Sequence, residues 1–252
     1  MEKHFDTLGD NYDEFLRYSR HSIEGVLNKL HKYIQISKVD VLDIGSGNGR
    51  ISREIVKRYP NSSVTLLDNS KNLLEIAGKS LKSLNIPTKM LELDLNYLDN
   101  IRGEKYDLII CSFILQNVVN LEQFFLNISR LLENNGVGTV LYNDKSDLIL
   151  QLIHQLCSNF HKVEIERHPS LNDILSLLIS KFKILTVYKN EFEFAIEPTI
   201  RLVEIVEQKQ FSGFSLLNND DFQKDLNNVK KYFAKTNKVI SSSKYAVIIF
   251  TK

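Results

Sequence analysis

Hydrophobic positions along this chain switch between two periods. From residue 12 to 36, Tyr12, Phe15, Leu16, Ile23, Val26, Leu27, Leu30 and Ile34 recur at close to 3.6, with Arg, Lys and His between. That spacing predicts one or two amphipathic helices. Residues 39–44 are apolar and β-branched, which predicts a strand, and Gly45-Ser46-Gly47-Asn48-Gly49 ends it. Residues 50–59 return to the helical period, with Ile51, Ile55, Val56 and Tyr59 on one face, until Pro60-Asn61 stops them. The unit then repeats. Strands are predicted at 63–68, 89–94, 106–111 and 137–142, and helices at 71–84 and 120–133, the last closed by Asn134-Asn135-Gly136. Strands alternating with helices predict a parallel sheet covered on both faces.

Beyond residue 145 the pattern is less regular. Helical spacing covers 146–160 and 171–180, and a strand is predicted at 182–188. A helical insertion follows over about 197–235, with a turn at Gly213 and a helix start near Asn219. The chain ends in a strong strand at 245–250. No internal repeat or clean linker interrupts it.

Composition narrows the class. The 252 residues are 43% hydrophobic, enough for a real core, with few Pro or Gly to suggest disorder. Lys and Arg number 32 against 31 Asp and Glu, a net charge of +1. That balance gives no electrostatic reason to expect nucleic acid or anionic lipid as a partner. Two cysteines, Cys111 and Cys157, make neither a disulfide framework nor a four-cysteine zinc site. With no signal-like or membrane-spanning run, a cytoplasmic, reduced protein is expected.

The segment richest in chemistry is Val41-Leu42-Asp43-Ile44-Gly45-Ser46-Gly47-Asn48-Gly49. A glycine turn between a first strand and a helix lets a ligand approach the backbone at the helix N-terminus. A dinucleotide fingerprint would need a third glycine at Arg50; here it falls at Gly49.

This Gly-x-Gly-x-Gly, with Asp43 two residues earlier, resembles the first motif of the class I S-adenosylmethionine-dependent methyltransferases. Asp68 and Asp94 end the second and third strands, as acids do in that family. Residues 106–112 with Leu115-Gln116-Asn117-Val118 resemble its fourth-strand motif, and residues 131–137 its turn before strand five, with Val137 where a second glycine often sits. The resemblance covers about 38–145. It implies a Rossmann-like, seven-stranded, mostly parallel α/β sheet with an antiparallel last strand, plus a helical cap. The expected division is a lid at 1–36, a cofactor-binding core at 37–189, a cap at 190–237 and a final core strand at 238–252.

It also implies S-adenosyl-L-methionine as the cofactor. Asp68, with Asn69 beside it, is expected at the ribose hydroxyls, since an ionised carboxylate accepts both. The plain alternative is a strand-end acid capping the next helix. Asp94 and the Leu95 main chain are expected at adenine, or Asp94 is a surface loop acid. Gly45, Ser46, Gly47 and Gly49 are expected at the methionine end, with Asp43 ordering their turn. The main chain near Ser112 and Phe113 is expected beside the methionine part and Gln116 near the transfer region. Arg20 is expected to pair with the methionine carboxylate. Tyr12, Tyr142, Arg201 and Phe214 are candidates for the acceptor site. Packing is the alternative for the aromatics, including Phe192, Phe194, Phe211 and Phe222. Gln116, His21 and Tyr12 are the weak catalytic candidates; no decisive base, metal motif or Asn-Pro-Pro-Tyr type motif occurs. His154, His161 and His168 are expected to be packing or surface residues.

The expected reaction is in-line methyl transfer to an oxygen or nitrogen of a small molecule or short peptide. A protein or RNA methyltransferase, a non-catalytic partner subunit and, more weakly, a polyamine synthase on the same fold are the rivals. The sequence leaves the acceptor and the oligomeric state open.

Overall fold

The computed structural model describes residues 23–197 and 199–252. Most of the expected lid, including Tyr12, Arg20 and His21, lies outside the described residues. Among them the elements run α1 (Ile23–Leu30), β1 (Asp40–Ile44), α2 (Arg50–Arg58), β2 (Ser63–Asp68), α3 (Lys71–Lys82) and β3 (Thr88–Glu92). Next come β4 (Tyr106–Ser112), α4 (Leu121–Leu131), β5 (Leu132–Tyr142), α5 (Leu152–Leu156), α6 (Ser158–Arg167) and α7 (Leu171–Ile179). The chain closes with β6 (Lys183–Ile196), α8 (Ile200–Glu207), α9 (Asn219–Phe233) and β7 (Val239–Thr251).

The seven strands form one sheet in the order β3-β2-β1-β4-β5-β7-β6. β1 to β5 are parallel, and β7 runs antiparallel between β5 and β6. The expected Rossmann-like sheet with a reversed last strand is therefore present. β1 and β2 are buried on both faces, as their unbroken apolar runs require. One face packs under α1, α2 and α3. The other packs under α4, α7 and the short 3-10 turn Leu95–Asn100. Local signals set the helix starts: Ser70 Oγ accepts from Leu73 N at 3.2 Å ahead of α3, and Asn218 Oδ1 from Asp221 N at 2.9 Å ahead of α9.

Three boundaries differ from expectation. The helix expected to reach residue 133 ends at Leu131. The fully buried Leu132 is already extended and pairs with Tyr106, and Asn135 takes the left-handed turn inside β5. Both last strands are longer than the apolar runs that marked them. Phe192, Phe194 and Ile196 alternate with Glu191 and Glu193, a two-residue period that belongs to β6 and not to the insertion. The pairs from Asn190–Tyr245 to Ile196–Val239 thus lie beyond the end of β5 at Tyr142. They form a ribbon projecting about 20 Å past the carboxyl edge of the parallel strands. The cap also draws on more of the chain than 190–237. Its core joins Leu152, Ile153 and Phe160 of α5 and α6 to Leu202, Val206, Phe214, Phe222 and Val229.

Candidate functional site

β1 is flanked by β2 on one side and β4 on the other, so the connections leave the sheet in opposite directions at its carboxyl end. That is where an open parallel sheet holds its ligand. The glycine turn sits there. Gly45, Gly47 and Gly49 take φ of 70°, 53° and 74°. A Cβ on Gly45 would lie 2.3 Å from Ile114 Cγ2, and one on Gly49 would lie 2.9 Å from Ala77 Cβ. Sterics and backbone sign together demand glycine at both positions. The turn is pinned to β2: Gly45 N and Ser46 N donate to Leu67 O at 2.7 and 3.0 Å. Gly49 caps α2 without a side chain, which leaves first-turn N–H groups of that helix facing the turn.

Two carboxylates support this turn differently. Asp43 is 1% exposed and accepts from Ser52 Oγ at 2.6 Å, which ties β1 to the first turn of α2. Burial is the largest influence on it, and with the Asp68 charge it outweighs the Ser52 hydrogen bond, raising the Asp43 carboxyl to about 6. Asp68 Oδ2 accepts from Gly47 N at 2.8 Å and Oδ1 from Ser70 N at 2.9 Å. Asn69 beside it is exposed. The Ser46 hydroxyl is buried without a hydrogen-bond partner among the described residues, an arrangement that folded proteins seldom leave unused.

The loops after β3 and β4 complete the edge. Asp94 Oδ1 accepts from both Asn96 N and Asn96 Nδ2 at 2.9 Å, and Leu95 opens the 3-10 turn that Asp94 caps. Asn96 reaches across to the next loop, donating to Asn117 O at 3.1 Å and accepting from Val119 N at 2.8 Å. After Ser112 the chain turns through Phe113 at φ 55°, a left-handed conformation costing a non-glycine residue roughly 1–3 kcal/mol. Gln116 Nε2 donates to Phe113 O at 2.8 Å and holds that turn.

The sequence-predicted Asp43, Gly45, Ser46, Gly47, Gly49, Asp68, Asn69, Asp94, Leu95, Ser112 and Gln116 therefore all belong to the loops and strand ends of one edge. Two other candidates do not, and a third, Tyr142, ends β5 at that edge but is buried in the core. Tyr142 is 1% exposed and packs in the core cluster of the α4 and α7 face. Phe214 is fully buried in the cap, stacked on Phe160 at 4.1 Å, and has no surface with which to line an acceptor pocket. Arg201 lies on the exposed side of α8 and pairs with Glu204 at 3.0 Å. His154 and His168 are buried, as the packing reading expects, and burial drives His154 down to about 3. A groove of about 650 Å³ lined by Ile200, Val203, Lys230 and Phe233 shares no residue with the carboxyl edge.

Sequence reasoning does not find Ser52 or Asn96, whereas the main chain at Phe113 is expected beside the methionine part together with Ser112. Asn96 alone carried a local signal, its place two residues after an Asp that turns the chain.

A family model described as a methyltransferase domain matches residues 36–198, well over half of the chain. The chain belongs to the class I S-adenosylmethionine-dependent methyltransferases. It is 31% identical over 112 residues to a ubiquinone biosynthesis O-methyltransferase of Rickettsia typhi, covering 44% of each protein. It is 23% identical over 216 residues to a malonyl-[acyl-carrier protein] O-methyltransferase of Bacillus cereus, covering 84% of this chain and 76% of that one. The chain thus spans a little under half of the ubiquinone-type relative. A coclaurine N-methyltransferase bound to N-methylheliamine and S-adenosylhomocysteine shares the fold, with a TM-score of 0.55 at 16% identity over 90% of this chain and 72% of that one.

The residues at the edge fit the cofactor of this methyltransferase family. The turn approaches at its glycines, the Ser46 hydroxyl waits without a partner, and carboxylates end β2 and follow β3. No described helix is long and apolar enough to cross a membrane.

Proposed function

We propose that this chain transfers a methyl group from S-adenosylmethionine to an oxygen of a small molecule by in-line displacement. The observation that carries the reading is the junction of four loops at one edge, cross-linked through Leu67, Asp68, Asn96 and Asn117. Relatives named for transfer to oxygen support the acceptor atom. The near-neutral charge supports a small acceptor over nucleic acid.

In this reading Gly45, Ser46, Gly47 and Gly49 receive the methionine end. Asp68 receives the ribose hydroxyls, an ionised carboxylate at the end of β2 that the Gly47 and Ser70 main-chain N–H groups hold in place. Asp94 receives the adenine amino group beside the Leu95 main chain. Its bonds to Asn96 all fall on Oδ1. Ser112 and Gln116 border the transfer region. Asp43 stays behind the turn and orders it.

When bound, S-adenosylmethionine supplies a methyl group already activated by its sulfonium. The chain's own task is to align the acceptor oxygen and keep water out. A hydroxyl acceptor also needs a base within about 3 Å of its proton, whereas a carboxylate acceptor needs none.

Calorimetric titration with S-adenosylmethionine and S-adenosylhomocysteine tests the reading. Micromolar binding of both is expected. Asp68→Ala should weaken both about tenfold or more, since a hydrogen bond to a charged group is worth about 1.5–3 kcal/mol. No binding of either ligand refutes the proposal. An unchanged affinity in Asp68→Ala removes that residue from the ribose role.

A further inference from the structure

Arg167, the last residue of α6, joins three segments that lie far apart in sequence. Its Nη1 donates to Glu164 one turn earlier. Its Nη2 donates to Asn117 Oδ1 at 2.8 Å in the loop after β4, and to Ser212 Oγ at 3.1 Å in the cap. The Arg167 and Glu164 side chains are only 17% and 10% exposed. A buried ion pair is weak evidence for stability, because desolvation offsets much of the attraction. What it does provide is geometry: a planar guanidinium holds several acceptors in fixed directions, which an ammonium cannot. The cap is pressed against the pair as well, since a Cβ on Gly213 would lie 2.2 Å from Glu164 Oε1.

The connection continues inward without a break. Asn117 O accepts from Asn96 Nδ2, and Asn96 in turn donates to Asp94. Asp94 therefore reaches the cap through Asn96, Asn117 and Arg167, each link a hydrogen bond of 3.1 Å or less.

We propose that Arg167 is a positioning residue for the acceptor site: it bolts the cap to the loops after β3 and β4, so that cofactor bound at Asp94 stiffens the cap. The inference rests on the cofactor reading above and adds to it a coupling between the two ends of the crevice. Such coupling requires a shared element that both sites bias, and the Asn117 loop is that element.

The test is hydrogen exchange on the full chain, with and without S-adenosylhomocysteine, its binding followed separately by calorimetry. In the wild type the ligand should slow exchange at 113–119 and also at 211–217, about fivefold or more. Asn117→Ala removes the acceptor for Arg167 but keeps the carbonyl that Asn96 uses. It should abolish the slowing at 211–217 while ligand affinity stays within about threefold, a change of less than 1 kcal/mol. Asn117→Asp, which keeps an oxygen opposite Arg167, should restore it. Arg167→Lys keeps a cation beside Glu164 and loses the bridge, so it should also abolish the slowing at 211–217, and it carries the test should Asn117→Ala fold poorly. Slowing at 211–217 that persists in both bridge variants overturns the proposal. So does wild-type binding with no slowing there. Failure to bind the ligand at all refutes the cofactor reading instead, and calorimetry reports that separately.

Discussion

Asp43→Asn isolates what a buried acid costs this fold. Asp43 is 1% exposed, and its carboxyl is raised from 3.8 to about 6, chiefly by burial. The native state thus holds the Asp43 proton more tightly than the unfolded chain does. The stabilising contribution of that proton is fully present below about pH 4 and is lost as the pH rises through about 6. Above that, the ionised side chain costs the fold on the order of 3 kcal/mol. Asparagine has the same shape, and its oxygen still accepts from Ser52, but it does not ionise. The variant should therefore be more stable than the wild type by about 1–3 kcal/mol near pH 7.5, and nearly equal to it near pH 4. Urea unfolding at the two pH values, with unchanged slopes, measures the difference. An equal gap at both pH values, or a less stable variant near pH 7.5, would refute the reasoning. Because Asp43 lies behind the turn, affinity for S-adenosylhomocysteine should change little.

Two further variants separate ligand contacts from packing at the same turn. Ser46→Ala removes a buried hydroxyl that lacks a partner. Thermal unfolding should show equal or slightly higher stability, because an unsatisfied buried polar group costs about 1–3 kcal/mol, while calorimetry shows several-fold weaker cofactor binding. Lost stability with unchanged affinity would make the hydroxyl structural. Gly45→Ala places a Cβ against Ile114 at a φ of 70°. It should destabilise by about 2 kcal/mol or more, with about 1–2 from the left-handed backbone alone. Adding Ile114→Ala should recover only the steric part, and full recovery in thermal melts would show that the backbone term had been overstated.

The carboxyl edge of the sheet was legible because its determinants are local. The Gly45–Gly49 turn, Asp68 and Asp94 each sit at the end of an apolar run, and a parallel sheet brings such ends to one edge whatever the rest of the chain does. The period of two in β6 was also present, in Phe192, Phe194 and Ile196 against Glu191 and Glu193. The apolar run at 182–188 marks only the first half of that strand and leaves the rest in the expected insertion. The polar face of a projecting ribbon breaks up such a run.

The cap was not legible, for a different reason. Phe214 and Arg201 were singled out by residue type, and type does not say whether a side chain points into a cap core or out of it. Phe214 stacks on Phe160, 54 positions earlier in the chain, so its burial depends on α6 packing against a later segment. Arg167 shows the converse. Nothing in its neighbourhood marks it, yet its partners Asn117 and Ser212 lie 50 and 45 residues away. These are polar pairings between segments that the sheet does not order. The edge of the sheet was therefore readable from spacing, whereas the core of the cap takes shape only once α5, α6, α8 and α9 are packed together.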